Sequence, residues 1–236
     1  MGEPVLHVEA LEAGYNEVQV LWGVSLAVPR GAMTTLVGTN GAGKTTSLRA
    51  ITGNLRPFGG RVMFAGEDVT RMAPHAKAAR GLVLVPEGRQ LYGTMSVQEN
   101  WAPSPRAGDV GYQIGSRRCT RCFRDSRNAV AKRPEPFPAV SSRCWRLPAE
   151  SCPNPEVLVI DELSLGLAPV VVQQLAGTLR ALKQSGMTIL LVEQNVRLAL
   201  ALSDYAYVIA EGRPFTEGSC AELAQKSEIR QAYLGL

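Results

Sequence analysis

The stretch GTNGAGKTT, residues 38–46, has the residue types and spacing of a phosphate-binding loop. Its glycines allow backbone N–H groups to point into the loop, and a helix that follows adds the positive end of its dipole. The Lys44 ammonium would reach the outer phosphates of a nucleotide, and the Thr45 hydroxyl would hold Mg²⁺. A chance glycine turn is the competing interpretation, and the predicted strand before the loop and helix after it disfavour it. The residues expected to bind nucleotide here are Gly38, Asn40, Gly41, Gly43, Lys44, Thr45 and Thr46.

Two acids at the end of an apolar run supply the other half of a hydrolytic site. The run VLVIDE, residues 157–162, predicts a buried strand that ends in Asp161 and Glu162. Asp161 would hold Mg²⁺ through water, and Glu162 would orient and polarise the attacking water. Such a pair can also simply cap a helix. Together with the phosphate-binding loop, however, it favours the hydrolysis of ATP.

The elements around these motifs alternate between strands and helices. The predicted strands cover residues 33–38, 81–87, 156–162, 187–193 and 205–212. Helical spacing of apolar residues covers 44–53, 170–186 and 196–204, and residues 59–69 predict a short edge hairpin. Alternating strands and helices predict an α/β fold with a mostly parallel sheet, covered by helices on both faces.

Composition narrows the class of protein. No apolar run approaches the roughly 18 residues of a membrane-spanning helix, and the first residues lack the pattern of a signal peptide, so we expect a soluble cytoplasmic protein. The net charge is +4, but residues 101–152 hold ten Lys or Arg and four Asp or Glu, a net of +6 that leaves −2 for the rest. Because nucleic-acid binding needs a basic face on a folded surface, we expect no nucleic-acid partner.

With both motifs in place, the chain resembles the ATP-binding subunits of ABC transporters over all but residues 101–152. The resemblance implies a P-loop fold of ABC type, with an antiparallel β edge and a helical subdomain that is disrupted in this chain. SLGLAP, residues 164–169, is similar to the loop that touches the opposite subunit of a head-to-tail dimer. Tyr15 resembles the aromatic residue that stacks on adenine; the alternative is an ordinary surface tyrosine.

A narrower resemblance is carried by LVPEGRQLYGTMSVQEN and LLVEQNVRLALALSD, which are similar to one ATPase subunit of the branched-chain amino acid importers. Glu87 stands where most ABC ATPases have glutamine. Gln194 stands where most have the switch histidine that contacts the γ-phosphate. Leu163 departs from the usual proline. The implied partners are a second ABC ATPase subunit, membrane permease subunits and, indirectly, a periplasmic solute-binding protein, at the cytoplasmic face of the inner membrane.

Three other interpretations stay open. A urea or short-amide importer ATPase has much the same sequence. The chain is alternatively a non-functional product of a frameshifted gene. A soluble ABC ATPase of repair or translation would usually show two ATPase halves or a long coiled coil, and neither is present.

Residues 101–152 do not fit this family. They contain six prolines and the cysteines Cys119, Cys122, Cys144 and Cys152. Four cysteines invite a zinc interpretation, but the last pair is separated by seven residues rather than by two to four. The family's signature loop, close to L-S-G-G-E-Q-Q, is not found in the written sequence.

Reading the codons one base out of register explains the segment. For residues 136–146, permitted wobble bases give L-S-G-G-E-Q-Q-M-L-A, and the same shift makes SVQEN continue as SVQENLG. Two compensating register changes, near residues 100 and 152, therefore account for the segment without zinc or a basic partner. We expect one ABC ATPase domain over residues 1–236, with nucleotide-binding parts at 1–100 and 153–236 and an aberrant segment at 101–152. As written, the chain would bind ATP weakly and show almost no cooperative turnover.

Overall fold

The computed structural model describes residues 3–86, 155–162 and 164–229 of the chain. Within these ranges the strands are β1 (Pro4–Tyr15), β2 (Val18–Pro29), β3 (Met33–Val37), β4 (Gly59–Phe64), β5 (Glu67–Asp68), β6 (Leu82–Val85), β7 (Val157–Asp161), β8 (Thr188–Glu193), β9 (Tyr205–Ala210) and β10 (Arg213–Ser219). The helices are α1 (Lys44–Thr52), α2 (Pro74–Ala79), α3 (Pro169–Gln184), α4 (Val196–Leu202), α5 (Cys220–Leu223) and α6 (Ser227–Ile229). The predicted strands, helices and edge hairpin are confirmed, with ends shifted by a few residues.

In the described part of the chain the strands form two sheets. The larger has the order β10-β9-β3-β8-β7-β6, and its strands are parallel except β10, which is antiparallel to β9. The smaller is antiparallel, with the order β2-β1-β4-β5. The mostly parallel sheet with an antiparallel edge is thus confirmed. The helical subdomain, together with the aberrant segment, falls outside the described residues.

Both faces of the parallel sheet are covered, which explains why its strands are continuous apolar runs. Along β7, Val157 and Val159 join the core that includes α1 and the antiparallel sheet. Leu158 and Ile160 join the core that includes α3. Because side chains alternate along a strand, Asp161 continues the row that faces α1. Helix α1 thus lies between the two sheets, with Leu48 and Ile51 buried.

A buried lysine holds the far end of α1. Lys77, in α2, is 1% exposed, and its ammonium donates to the Ile51 carbonyl at 2.7 Å. A cation at a helix C-terminus satisfies a carbonyl that has no partner in the helix and opposes the negative end of the dipole. Burial lowers the pKa of Lys77 to about 8, against a smaller opposing effect of Asp68.

The two sheets are tied to each other by hydrogen bonds from β2. The Ala27 amide donates to the Tyr207 hydroxyl of β9 at 3.0 Å, and the Trp22 amide donates to the Gly212 carbonyl at 2.8 Å. The two sheets therefore keep a defined separation, which α1 fills. Among the described residues, none of the helices has the length and apolar character needed to cross a membrane.

Candidate nucleotide-binding site

The predicted phosphate-binding loop runs from the end of β3 to the start of α1, as the sequence requires. Its backbone closes on itself: the Ala42 amide donates to the Thr39 carbonyl at 3.2 Å, and the Ser47 amide donates to the Gly43 carbonyl at 2.8 Å. Asn40 and Gly41 are exposed at the tip of the loop, whereas Thr46 is buried in the first turn of α1. The loop thus presents its tip to the solvent and its base to the core.

Glycine is required at both ends of the loop. A Cβ at Gly38 would lie 2.5 Å from the Ile209 carbonyl oxygen, a backbone atom that cannot move aside cheaply. Gly43 caps α1 with φ of 95°, a conformation that side chains disfavour, and a Cβ there would lie 2.7 Å from Leu21 Cδ2. These contacts explain why the motif has glycine at these two positions.

The turn between β9 and β10 holds the loop from the side. The Gly212 amide donates to the Ala42 carbonyl at 3.1 Å, while the Gly212 carbonyl accepts from Trp22. A Cβ on Gly212, whose φ is +74°, would lie 1.7 Å from the Val20 carbonyl oxygen. One glycine therefore joins the phosphate-binding loop, β2 and the β9–β10 turn through backbone atoms. The sequence analysis missed this residue, because nothing local distinguishes it from other turn glycines.

Lys44 and Glu162 meet in the middle of the site. The Lys44 ammonium donates to the Gly38 and Thr39 carbonyls at 3.0 Å each, and it lies 3.3 Å from Glu162 Oε1. Both residues are buried, at 4% and 8% exposed. The two carbonyl partners satisfy further donors of the ammonium, which offsets part of the cost of burying this charge. The two motifs, 118 positions apart in the numbering, thus form one cluster.

The strand register explains how Glu162 reaches Lys44. Asp161 at the end of β7 pairs with Val192 of β8, which pairs in turn with Leu36 of β3. The carboxyl ends of these parallel strands therefore meet at one edge of the sheet. Glu162 follows at once, with its amide donating to the Val192 carbonyl at 2.8 Å and with φ of 38°. This unusual backbone conformation is typical of functional sites.

The oxygen ligands expected for Mg²⁺ come from this same edge. Asp161 is buried and faces the α1 side of the sheet, and Thr45 lies in the first turn of α1, partly exposed. A carboxylate and a hydroxyl are the hard oxygen donors that Mg²⁺ prefers, with its remaining positions filled by water and phosphate. The donor set therefore fits the ion.

Tyr15 lies at the end of β1, beside α1, and is 37% exposed. The Arg49 guanidinium of α1 donates to its hydroxyl at 3.0 Å and lies 5.8 Å from the centre of its ring. The ring is thus held against α1 by Arg49. Because Lys44 lies in the same helix, α1 sets the distance between the Tyr15 ring and Lys44.

Gln194 is exposed directly after β8, next to a buried acid. That acid, Glu193, is 1% exposed; its carboxylate accepts from the Ser164 amide at 3.0 Å and from the Ser164 hydroxyl at 2.7 Å. Burial raises the pKa of Glu193, and nearby Glu162 acts in the same direction, whereas hydrogen bonds from Ser164 and the Asn195 amide oppose the rise. Sequence reasoning missed Glu193, although an acid ending an apolar strand is a signal that could have found it.

Some residues named in the sequence analysis fall outside the described residues. They are Glu87, Leu163 and the four cysteines of the zinc interpretation. The remaining predicted residues occupy one edge of the parallel sheet, with Tyr15 contributed by the antiparallel sheet.

A strand, a glycine loop and a helix with a buried lysine, facing an acid pair on a nearby parallel strand, define a P-loop nucleotide hydrolase. The ABC transporter family profile matches residues 21–165, more than half of the chain. The chain therefore belongs to the ABC transporter ATP-binding family, whose members bind nucleotide, hydrolyse ATP and work as dimers with membrane permease components.

The relatives span the whole chain. The high-affinity branched-chain amino acid transport ATP-binding protein BraG of Pseudomonas aeruginosa is 31% identical, with 98% of this chain and 100% of BraG covered. A probable branched-chain amino acid transport ATP-binding protein, LivF of Archaeoglobus fulgidus, is 27% identical, with 98% and 99% covered. The lipopolysaccharide export system ATP-binding protein LptB of Escherichia coli K12 is 25% identical, with 98% and 97% covered.

Solved structures agree on the fold. The ADP conformation of an ATP-binding cassette of an ABC transporter matches with a TM-score of 0.86 at 24% identity, over 99% of this chain and 100% of that one. A dimeric post-hydrolysis cassette bound to ADP and phosphate matches with a TM-score of 0.74 at 16% identity, over 91% and 98%. The predicted fold class is thereby confirmed.

Proposed function

We propose that this chain is the ATPase subunit of an importer of branched-chain amino acids. The contact between Lys44 and Glu162, at 3.3 Å, carries the proposal for ATP hydrolysis, because it places the phosphate-binding lysine beside the proposed base. The similarity to BraG, at 31% identity over its whole length, supports the transported class. The residues Glu87 and Gln194, at positions where most ABC ATPases differ, support the same subfamily.

Lys44 has a double role in this mechanism. Without nucleotide its ammonium is held by two loop carbonyls and by Glu162. A γ-phosphate offers the same ammonium more negative charge, and charge-assisted bonds to phosphate are stronger than bonds to carbonyls. Binding ATP therefore draws the Lys44 ammonium toward the phosphate, and the Glu162 carboxylate beside it orients the attacking water and accepts its proton.

The remaining residues position the nucleotide. The backbone amides of the phosphate-binding loop bind the phosphates, Tyr15 stacks on the adenine ring, and Gln194 contacts the γ-phosphate. Thr45 directly, and Asp161 through water, would hold Mg²⁺, which neutralises charge on the phosphates. Apart from Tyr15, which ends β1 of the antiparallel sheet, each role uses a side chain or amide at the same edge of the parallel sheet.

The proposed assembly contains two ATPase subunits and two permease subunits. Two subunits close head to tail on two ATP molecules and change the permease between its inward- and outward-facing states. The subunit lies at the cytoplasmic face of the inner membrane, and a periplasmic solute-binding protein delivers the amino acid. The family resemblance and the similarity to BraG, a branched-chain amino acid transport ATP-binding protein, support this arrangement.

We also infer that residues 101–152 are read out of register. Full-length coverage of BraG supports this, because two compensating changes would preserve the length of the chain. The test is peptide mass mapping of the natural protein. A peptide containing L-S-G-G-E-Q-Q is the expected result, whereas a peptide containing PEPFPAVSSR would contradict the inference.

The ATPase experiment compares two full chains: the written sequence and a restored chain in which residues 101–152 carry the other reading. We expect the restored chain to hydrolyse ATP cooperatively, and the written chain to bind ATP weakly with almost no turnover. The matched control is Lys44→Ala in each. Near-equal turnover of the two chains would show that the written segment does the work of a signature loop.

The transported class is tested by complementation. We expect the restored chain, but not its Lys44→Ala variant, to restore leucine uptake to a Pseudomonas aeruginosa strain that lacks BraG. A second candidate, lipopolysaccharide export, is favoured by the LptB relatives at 25% to 27% identity. Rescue of LptB-depleted Escherichia coli, without rescue of leucine uptake, would favour that function instead.

A further inference from the structure

A second acid at the same edge of the sheet has no role in the proposed reaction. Glu193 ends β8, is 1% exposed, and receives both hydrogen-bond donors of Ser164, at 3.0 and 2.7 Å. Ser164 is the first residue of the SLGLAP loop, two positions after Glu162. A buried carboxylate that accepts two bonds from one residue fixes that residue more tightly than a single bond would.

The same carboxylate also lies next to Gln194 in the chain. Gln194 follows Glu193 directly and precedes Asn195, so the two bonds from Ser164 that fix the Glu193 side chain also restrain the start of the turn that contains Gln194. Asn195 in turn caps α4, with its side chain accepting from the Leu198 amide at 3.1 Å. Gln194 is therefore held between a buried carboxylate and the start of a helix.

The alternation of side chains along β8 explains why Glu193 can contact the SLGLAP loop as well as adjoin the turn after β8. Ile189 and Leu191 of β8 join the core that includes α3, and Glu193 continues that row because side chains alternate along a strand. The SLGLAP loop leads directly into α3, on this same face of the sheet. The acid is thus placed under the loop that follows Glu162 and beside the residue that follows β8.

We propose that Glu193 is a positioning residue that couples the SLGLAP loop to Gln194, so that the loop sets how Gln194 meets the γ-phosphate. This rests on the proposed function, which gives Gln194 that contact. A movement of Ser164 changes both bonds to Glu193, and the carboxylate transmits the change to the turn that holds Gln194. Contact between the SLGLAP loop and a second subunit would in this way change the interaction of Gln194 with the γ-phosphate.

The test measures nucleotide discrimination by the restored full chain, with MANT-ATP and MANT-ADP in the presence of Mg²⁺. In this chain without further substitution, the wild type of the test, ATP should bind more tightly than ADP. Glu193→Leu should reduce the ratio of the two dissociation constants about tenfold, as expected for one lost hydrogen bond to a charged group. Its ADP affinity should stay within about twofold, because ADP lacks the γ-phosphate.

Four further variants test whether Glu193 acts through Gln194 and through its bonds to Ser164. Gln194→Ala should lower the ratio as Glu193→Leu does, and the double variant should lower it no further, because both changes remove one contact. Glu193→Gln keeps an acceptor and a donor for Ser164 and should retain most of the ratio. Ser164→Ala, which removes one of the bonds without touching the core, should lower the ratio about threefold and serves if Glu193→Leu does not fold.

Equal losses of ATP and ADP affinity in Glu193→Leu, or an additive double variant, would overturn the coupling. An unchanged ratio in both Glu193→Leu and Ser164→Ala would do the same. Failure of the proposed function is distinguished by Lys44→Ala: if that change leaves nucleotide affinity intact, the phosphate-binding site itself is misassigned. Equal affinities for both nucleotides in the wild type would remove the role of Gln194 and the coupling with it.

Discussion

The loops at the edge of the parallel sheet are held in two different ways. The phosphate-binding loop is fixed by backbone hydrogen bonds and by glycines that allow main chains to approach closely, at Gly38, Gly43 and Gly212. The loops after β7 and β8 are fixed by buried carboxylates, Glu162 on Lys44 and Glu193 on Ser164. The first kind of loop is held mainly by main-chain contacts, with the Lys44 ammonium adding bonds to the Gly38 and Thr39 carbonyls. The second depends on groups that a phosphate can displace or compete with.

The comparison teaches where binding and chemistry are separable. Changes in the backbone-held loop should damage folding and binding together, because the loop and the core share the same close contacts. Changing a carboxylate of the second kind of loop to its neutral amide should alter the reaction with a smaller loss of stability, because the amide keeps the shape and part of the hydrogen bonding of the buried group. Three substitutions test this division, and a fourth, at Tyr15, lies outside it.

The largest effect is expected for Glu162→Gln in the restored chain. ATP turnover should fall by about 10²–10⁴-fold, the usual contribution of a general base, while ATP affinity is retained or increased, because a neutral side chain competes less with the γ-phosphate for Lys44. Phosphate release and MANT-ATP titration measure the two quantities. A parallel loss of affinity would place Glu162 in binding rather than in chemistry and would weaken the division between the two kinds of loop.

In the backbone-held loop, Gly212→Ala should lower the free energy of unfolding by about 3 kcal/mol, since positive φ and a close contact both oppose a side chain. Gly23→Ala is the matched control. Gly23 has nearly the same φ, +76°, but nothing lies within 4 Å of a Cβ there, so we expect a loss of only about 1 kcal/mol. Urea unfolding measures both, and MANT-ATP titration should show weaker binding for Gly212→Ala alone. Equal losses in the two variants would contradict the close contact with Val20.

Lys77 tests whether a side chain also holds the helix of the backbone-held loop. Its pKa of about 8 in the folded protein lies below the ordinary 10.5, so the unfolded chain binds more protons between these values and stability rises with pH. Wild type should gain about 2 kcal/mol relative to Lys77→Met between pH 8 and pH 9.5. Urea unfolding at several pH values measures the difference, and parallel curves for the two proteins would show that the ammonium stays protonated in the core.

The smallest effect is expected at Tyr15, which belongs to neither kind of loop. Tyr15→Leu should weaken ATP binding about tenfold through the loss of base stacking, and Tyr15→Phe should weaken it by less than about twofold because the ring remains. Isothermal titration calorimetry with unlabelled ATP measures both affinities, so that the MANT group does not contribute to the binding. If the Phe variant is as weak as the Leu variant, the hydroxyl held by Arg49, rather than the ring, makes the contact.

The sequence predicted the parallel sheet well because its strands are buried on both faces and read as continuous apolar runs. The site residues Lys44 and Glu162 were predictable because Lys44 belongs to a glycine-rich motif with fixed spacing and Glu162 directly follows a buried strand. Gly212, Lys77 and Glu193 were missed, because each acts on a residue far away in the chain through a contact that depends on how layers pack. The two long strands β1 and β2 carry bulges that interrupt the alternation of buried and exposed side chains. The sequence analysis therefore gave no strand bounds for this region.

The division of the site between two sheets has a mechanical consequence. Tyr15 ends a strand of the antiparallel sheet, whereas Lys44 and Glu162 are held by the parallel sheet. A nucleotide that stacks on Tyr15 and reaches Lys44 would act as a brace across the two layers. At a concentration 100 times its dissociation constant, such a brace adds about 2.7 kcal/mol to the free energy of unfolding. The rise in melting temperature on adding ATP would then measure how strongly the bound nucleotide stabilises the chain.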